Sequence, residues 1–181
     1  MSMDAYMAEV FPEPPLTAFK RPKNIKEYLV RAKVPGENTR EKRKMFGMSK
    51  CNKPCQACPF IKEGNVIKYG KNKKWQILVK ANCETENIVY MIECAKCNER
   101  YIGESKRSIT ERFSEHKGYV NKIFPKEAIG VHFNLPAHRV SDMKITILQK
   151  LNTNNTEYRK EKEKYLINKF NTFYKGINRE K

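Results

Sequence analysis

Acidic residues are scarce in this chain. Twenty aspartates and glutamates stand against 37 lysines and arginines, which leaves a formal charge of +17 over 181 residues. Such a surplus opposes compaction by self-repulsion and attracts polyanions. Nucleic acid is the commonest polyanion for a basic chain, with an anionic membrane surface as its competitor. No stretch approaches the roughly 20 apolar residues of a spanning helix, so no membrane-crossing segment is expected. Residues 1–19 hold acids and prolines where a basic start and an apolar run would be needed, so no secretion signal is expected either. No internal repeat is present. Hydrophobic residues make up 39% of the chain, enough for a modest core.

With no export signal, the six cysteines read as metal thiolates before they read as a disulfide framework. Cys94-x2-Cys97, followed downstream by His132-x5-His138, offers two thiolates and two imidazoles. That is a closed tetrahedral set, suited to structural rather than catalytic zinc. The bland alternative is two surface cysteines and two loop histidines. Cys51-x3-Cys55-x2-Cys58, with Cys83 as a fourth ligand, is a candidate second zinc site, although Cys83 also suits an ordinary strand position.

Three regions are expected: a basic, linker-like extension over 1–50, a cysteine-containing connecting region over 51–83, and a folded domain over 84–181. The extension carries Lys20, Arg21, Lys23, Arg31, Lys33, Arg40, Lys42, Arg43 and Lys44. These residues, with Arg107 further on, read either as a solvated tail or as phosphate contacts, which need cations but little geometry. Within the extension a short helix is predicted over 24–32, where Ile25, Tyr28, Leu29 and Ala32 share a face.

Strands are predicted over 75–80, 88–92, 100–103 and 143–148, the middle two as a hairpin with an elaborated loop. Ser108-Ile-Thr-Glu111 is a capping box opening a helix to about Tyr119. A short helix is expected over 126–133. A last helix should start at Asn155 or Thr156 and run to about Phe170. The order β-β-α-α-β-α, hairpin first, gives a small α/β domain with a three-stranded, mainly antiparallel sheet flanked by helices and a zinc-stabilised basic N-terminal extension.

Two helices carry polar residues where apolar ones belong. At roughly 100° per residue, Glu163 falls in the same arc as Leu166 and Phe170, whereas Glu161 points away. An inward carboxylate needs a cation or hydrogen bonds. The plainest partner is Arg159, four residues earlier. On the preceding long helix Arg112 and His116 flank the face of Ile109, Phe113 and Val120.

Ile88-Val89-Tyr90, Tyr101-Ile102-Gly103, Arg112, His116, Glu163 and Asn178, in this order, resemble the motifs of GIY-YIG nucleases, with Ile88 in place of the first glycine. Taken alone, the tyrosines read as sheet aromatics and Gly103 as a bulge. The cysteine and histidine pairs, together with the upstream Phe19-Lys-Arg-Pro-Lys-Asn24 stretch, are similar to the branch found in Penelope-like retroelements. The resemblance implies a metal-dependent DNA endonuclease serving retroelement integration. In it Glu163 holds Mg²⁺ or Mn²⁺, Arg112 neutralises phosphate charge, Tyr90 or Tyr101 orients or deprotonates water, His116 assists as proton acceptor, and Asn178 orients the site. It also implies DNA as partner, a reverse transcriptase domain in the same full-length chain, and a nuclear location. The alternative is a zinc-stabilised nucleic-acid-binding module without catalysis.

Overall fold

The computed structural model describes residues 46–122 and 126–178. The helix expected over 24–32 and the basic residues Lys20 to Lys44 lie outside them. Strand β1 is Gly47–Met48, β2 Val66–Lys68, β3 Lys74–Gln76, β4 Lys80–Ala81, β5 Ile88–Cys94, β6 Arg100–Ser105 and β7 Met143–Lys150. The helices are α1 Ile109–Val120, α2 Ala128–Phe133, α3 Thr156–Phe170 and α4 Thr172–Lys175. All of these elements belong to one compact unit.

The main sheet has the order β6-β5-β7 with both pairings antiparallel. Every residue of β5 is buried, as expected of a central strand covered on both faces. Its side chains alternate between two cores. Ile88, Tyr90 and Ile92 pack with Ile109, Phe113 and Ile145 on one face. Val89 and Met91 pack with Ile102, Leu148, Leu166 and Phe170 on the other. One face of the sheet thus carries α1 and α2, and the other carries α3. Ile88, at the position of the missing glycine, is fully buried in the first core.

Segment 51–83 packs against this sheet. Lys62 N donates to Ile145 O at 2.8 Å, and Trp75 Nε1 donates to Leu148 O at 3.1 Å. The strand expected over 75–80 is two shorter ones: β3 pairs with β2, and β4 pairs with β1 in a separate two-stranded sheet. Their partners are only two or three residues long, too short for a period to register. The helical expectations fare better. Ser108 caps α1 in a reciprocal box with Glu111, and Asn155 caps α3 by accepting from Glu157 N and Tyr158 N. α4, directly after an αL cap at Asn171, has no counterpart in the sequence reading.

Candidate active site and metal centres

Tyr90 enters the site from the middle of β5, with its side chain fully buried. Gly103 lies directly across from it on β6. A Cβ on Gly103 would lie 2.7 Å from the Tyr90 hydroxyl and 2.8 Å from the Tyr101 ring. Glycine is therefore the residue that lets the two tyrosines share one strip of sheet. Gly103 is not a bulge: it pairs in register, and the irregularity falls on the other edge, between Val89 and Tyr90 against β7.

α1 brings Arg112 and His116 to the same hydroxyl. Arg112 Nε donates to Tyr90 Oη at 3.0 Å, and Tyr90 Oη lies 2.7 Å from His116 Nε2. Arg112 also donates from Nη1 to Glu115 at 2.5 Å, and Glu115 in turn pairs with Arg107. Burial opposes the charge on Arg112, but Tyr90 and Glu115 more than offset it and raise its pKa. Burial and the Arg112 charge push His116 down to about 3, so its ring is neutral. Burial pushes Tyr90 well above the phenol range and raises Tyr101 as well.

The Arg112–Tyr90–His116 chain is one acceptor short. Arg112 Nε–H takes one lone pair of the phenol. If Tyr90 donates to His116 Nε2, the proton of the neutral ring sits on Nδ1, which is buried without a partner. If Nε2 carries the proton, the phenol O–H lacks an acceptor. Either way a buried donor lacks a partner, at about 1–3 kcal/mol.

Tyr101 and His116 line a cavity of about 710 Å³ together with Lys126, Lys164, Phe173 and Asn178. Asn178 clasps β6: Ile102 N donates to its Oδ1 at 2.7 Å, and its Nδ2 donates to Ile102 O at 2.6 Å. It thus continues the sheet with a side chain.

Glu163 projects from α3 toward β6 and accepts from Glu104 N at 3.2 Å. It does not pair with Arg159, the partner expected from their spacing. Arg159 is 3% exposed and donates to the Glu104 carboxylate at 2.8 Å and to Asn154 O at 3.0 Å. A half-buried carboxylate on the neighbouring strand outcompetes one on the same helix, because it meets the buried guanidinium where that side chain lies. Burial and the nearby Glu104 carboxylate raise the pKa of Glu163, and Arg112 pulls against them. The Glu163 charge also bears on both tyrosines. Tyr90, Tyr101, Arg112, His116 and Glu163 therefore converge on one place, from two strands and two helices.

Sequence reasoning missed Glu115, Glu104 and Lys164. Glu115 had a legible signal, its i,i+3 spacing from Arg112. Glu104 and Lys164 owe their places to the tertiary fold alone. Of the expected nucleic-acid contacts, Arg107 is within the described residues, half-exposed and paired with Glu115.

All six cysteines are free of disulfides. They fall into two clusters, Cys51, Cys55, Cys58 and Cys83 in one and Cys94, Cys97, His132 and His138 in the other, each with its donor atoms within 4.8 Å of one another. The second cluster fits a metal in detail. His138 Nδ1 is 3.1 Å from Pro136 O, so it carries the proton, while Nε2 is buried with no hydrogen-bond partner. A buried lone pair beside two thiols and a second imidazole is a ligand position. His132 Nδ1 faces the Glu99 carboxylate at 3.5 Å, as a metal-ligating histidine requires to orient its ring. The first cluster holds Cys58 Sγ 3.3 Å from Cys51 Sγ and 3.4 Å from Cys83 Sγ. Cys83 is a ligand candidate, and it lies outside the strands.

A family model for the GIY-YIG catalytic domain matches residues 86–178, just over half of the 181 residues. No curated protein and no solved structure gives a significant match.

Proposed function

The chain belongs to the GIY-YIG catalytic-domain family, a family of nucleases acting on DNA, and on that premise we propose that it is a metal-dependent endonuclease that nicks target DNA. The observation that carries this reading is the single Tyr90 hydroxyl held between a charged Arg112 and a neutral His116, with the Glu163 carboxylate close enough for its charge to bear on Tyr90 and Arg112.

Glu163 is the residue to hold the divalent cation, Mg²⁺ or Mn²⁺, a hard ion suited to carboxylate, water and phosphate oxygens. Such an ion supplies Lewis-acid polarisation of the scissile phosphate. Arg112, charged at every working pH, neutralises charge growing on the phosphate oxygens. Tyr101 faces the cavity and orients the attacking water. Tyr90, buried, fixes Arg112 through its oxygen. His116 holds the far end of that chain, and its low basicity makes it a hydrogen-bond partner of the Tyr90 phenol rather than a proton acceptor. Gly103 keeps the tyrosines close, and Asn178 fixes β6 beneath them.

We assign zinc to both cysteine clusters as structural ions, four-coordinate and closed. On this reading residues 84–181 are the nuclease domain, 51–83 a cysteine-bearing collar, and 1–50 a basic extension whose Lys20 to Lys44 cations, with Arg107, contact phosphates. The Cys94/Cys97 and His132/His138 pairs favour the Penelope-like branch, hence retroelement integration in the nucleus and a reverse transcriptase in the same full-length protein. One site per chain makes the product a nick, and a double-strand break needs two copies or two encounters. Among the described residues no helix is long and apolar enough to cross a membrane.

The test is nicking of supercoiled plasmid with Mg²⁺, with and without chelator, by the native chain and by Glu163→Ala. Relaxation that is lost with chelator and in the variant is expected. Salt-sensitive binding with no cleavage under Mg²⁺ or Mn²⁺ would replace the nuclease by a non-catalytic targeting module.

A further inference from the structure

The four-cysteine cluster touches the helix that carries Arg112 and His116, and the polar part of that contact runs through Thr110. Thr110 sits in the first turn of α1, two residues before Arg112. Its backbone N–H and its hydroxyl both reach Cys83 O, each at 3.1 Å. The same hydroxyl lies 3.4 Å from Cys55 Sγ. Beside this contact the Phe60 ring, two residues past Cys58, packs on Phe113 of α1 with centroids 4.5 Å apart.

A threonine hydroxyl has one proton. While Cys55 is a thiol, its S–H donates to Thr110 Oγ1 and the hydroxyl donates to Cys83 O. Metal binding removes the thiol protons, because only thiolates ligate. The Cys55 sulfur then becomes an acceptor, and the only proton available to that contact is the threonine's. Cys83 O does not go wanting, since the Thr110 backbone N–H already serves it.

We propose that Thr110 is a positioning residue that couples the four-cysteine metal site to the catalytic helix: with the site loaded, its hydroxyl turns from Cys83 O to the Cys55 thiolate and pins the first turn of α1. This rests on the assignment of a metal to that cluster. It adds a link by which metal occupancy governs the placement of Arg112. Outer-sphere partners of this kind affect metal affinity by about 10–100-fold.

The test uses the full chain reconstituted with Co²⁺, whose thiolate charge-transfer band reports on the sulfurs. Thr110→Val should weaken metal binding at this cluster about 10–100-fold and shift the band. It should also lower kcat for plasmid nicking without raising KM. Thr110→Ser, which keeps the hydroxyl, should restore all three. Should Thr110→Val prove too unstable to assay, Thr110→Ala removes the hydroxyl with less bulk. A hydroxyl-free variant with native affinity and an unshifted band would overturn the proposal. So would a native chain that binds one metal ion and loses none in Cys55→Ala, a result that leaves nicking by the Glu163 site untouched.

Discussion

At the scale of single residues, the site depends on groups forced into close company. Gly103 is the tightest case, because any side chain there meets the Tyr90 hydroxyl at 2.7 Å. Gly103→Ala should destabilise the fold by about 1–3 kcal/mol, the usual effect of overpacking, and should reduce nicking by moving Tyr90 off Arg112. Chemical denaturation reads the first effect, and native stability in the variant would show that the sheet yields at no cost. His116 makes a second prediction. In the fold its pKa is pushed from 6.5 to about 3. Above pH 6.5 the ring is neutral in folded and unfolded chains alike and contributes no pH dependence. As pH falls from 6.5 toward 3 the unfolded chain takes up a proton that the folded chain refuses, so stability declines. Melting temperature against pH should fall more steeply for the native chain than for His116→Asn, and parallel curves would refute the buried neutral ring.

Legibility differs among the elements. α1 and α3 could be read because their starts are chemical signals: Ser108 with Glu111, and Asn155. β5 could be read as an apolar run, β6 from its Tyr101-Ile102-Gly103 stretch, and β7 from the alternation of Met143, Ile145 and Ile147 with polar neighbours. β1, β2 and β4 could not, since two or three residues carry no period. The five residues converging on the site were recognisable from their order along the chain. The partners of that group were not: Arg159 was expected on Glu163 and is bound to Glu104, a choice made by burial rather than by spacing. Because the capping box orders the turn that also holds Thr110 and Arg112, Ser108→Ala should remove about 1 kcal/mol of stability. Urea titration measures this, and an unchanged midpoint would mean that the collar alone holds the turn.

For the whole molecule, two clusters of candidate metal ligands join segments far apart in sequence. Cys83 meets Cys58 across 25 positions, and Cys97 meets His132 across 35. Zinc removal by a thiol-compatible chelator should therefore lower the melting temperature, and zinc should restore it. A melting curve indifferent to chelation would contradict structural metal at both sites. The charge of +17 carries a different expectation. DNA affinity should fall steeply with salt, with a log–log slope of about −0.9 per phosphate contacted, and truncation of residues 1–45 should flatten that slope.

Whether Arg112 and Glu163 act as parts of one phosphodiester-cleaving centre is read directly by a double-mutant cycle under single-turnover conditions. Arg112→Ala and Glu163→Gln should each slow cleavage of a labelled duplex by on the order of 10²–10³-fold, as loss of one electrostatic element does. Combined, they should lose little more than the worse single variant, because residues working as a unit are strongly non-additive. Native cleavage rates in either variant, or losses that simply multiply, would contradict a shared centre.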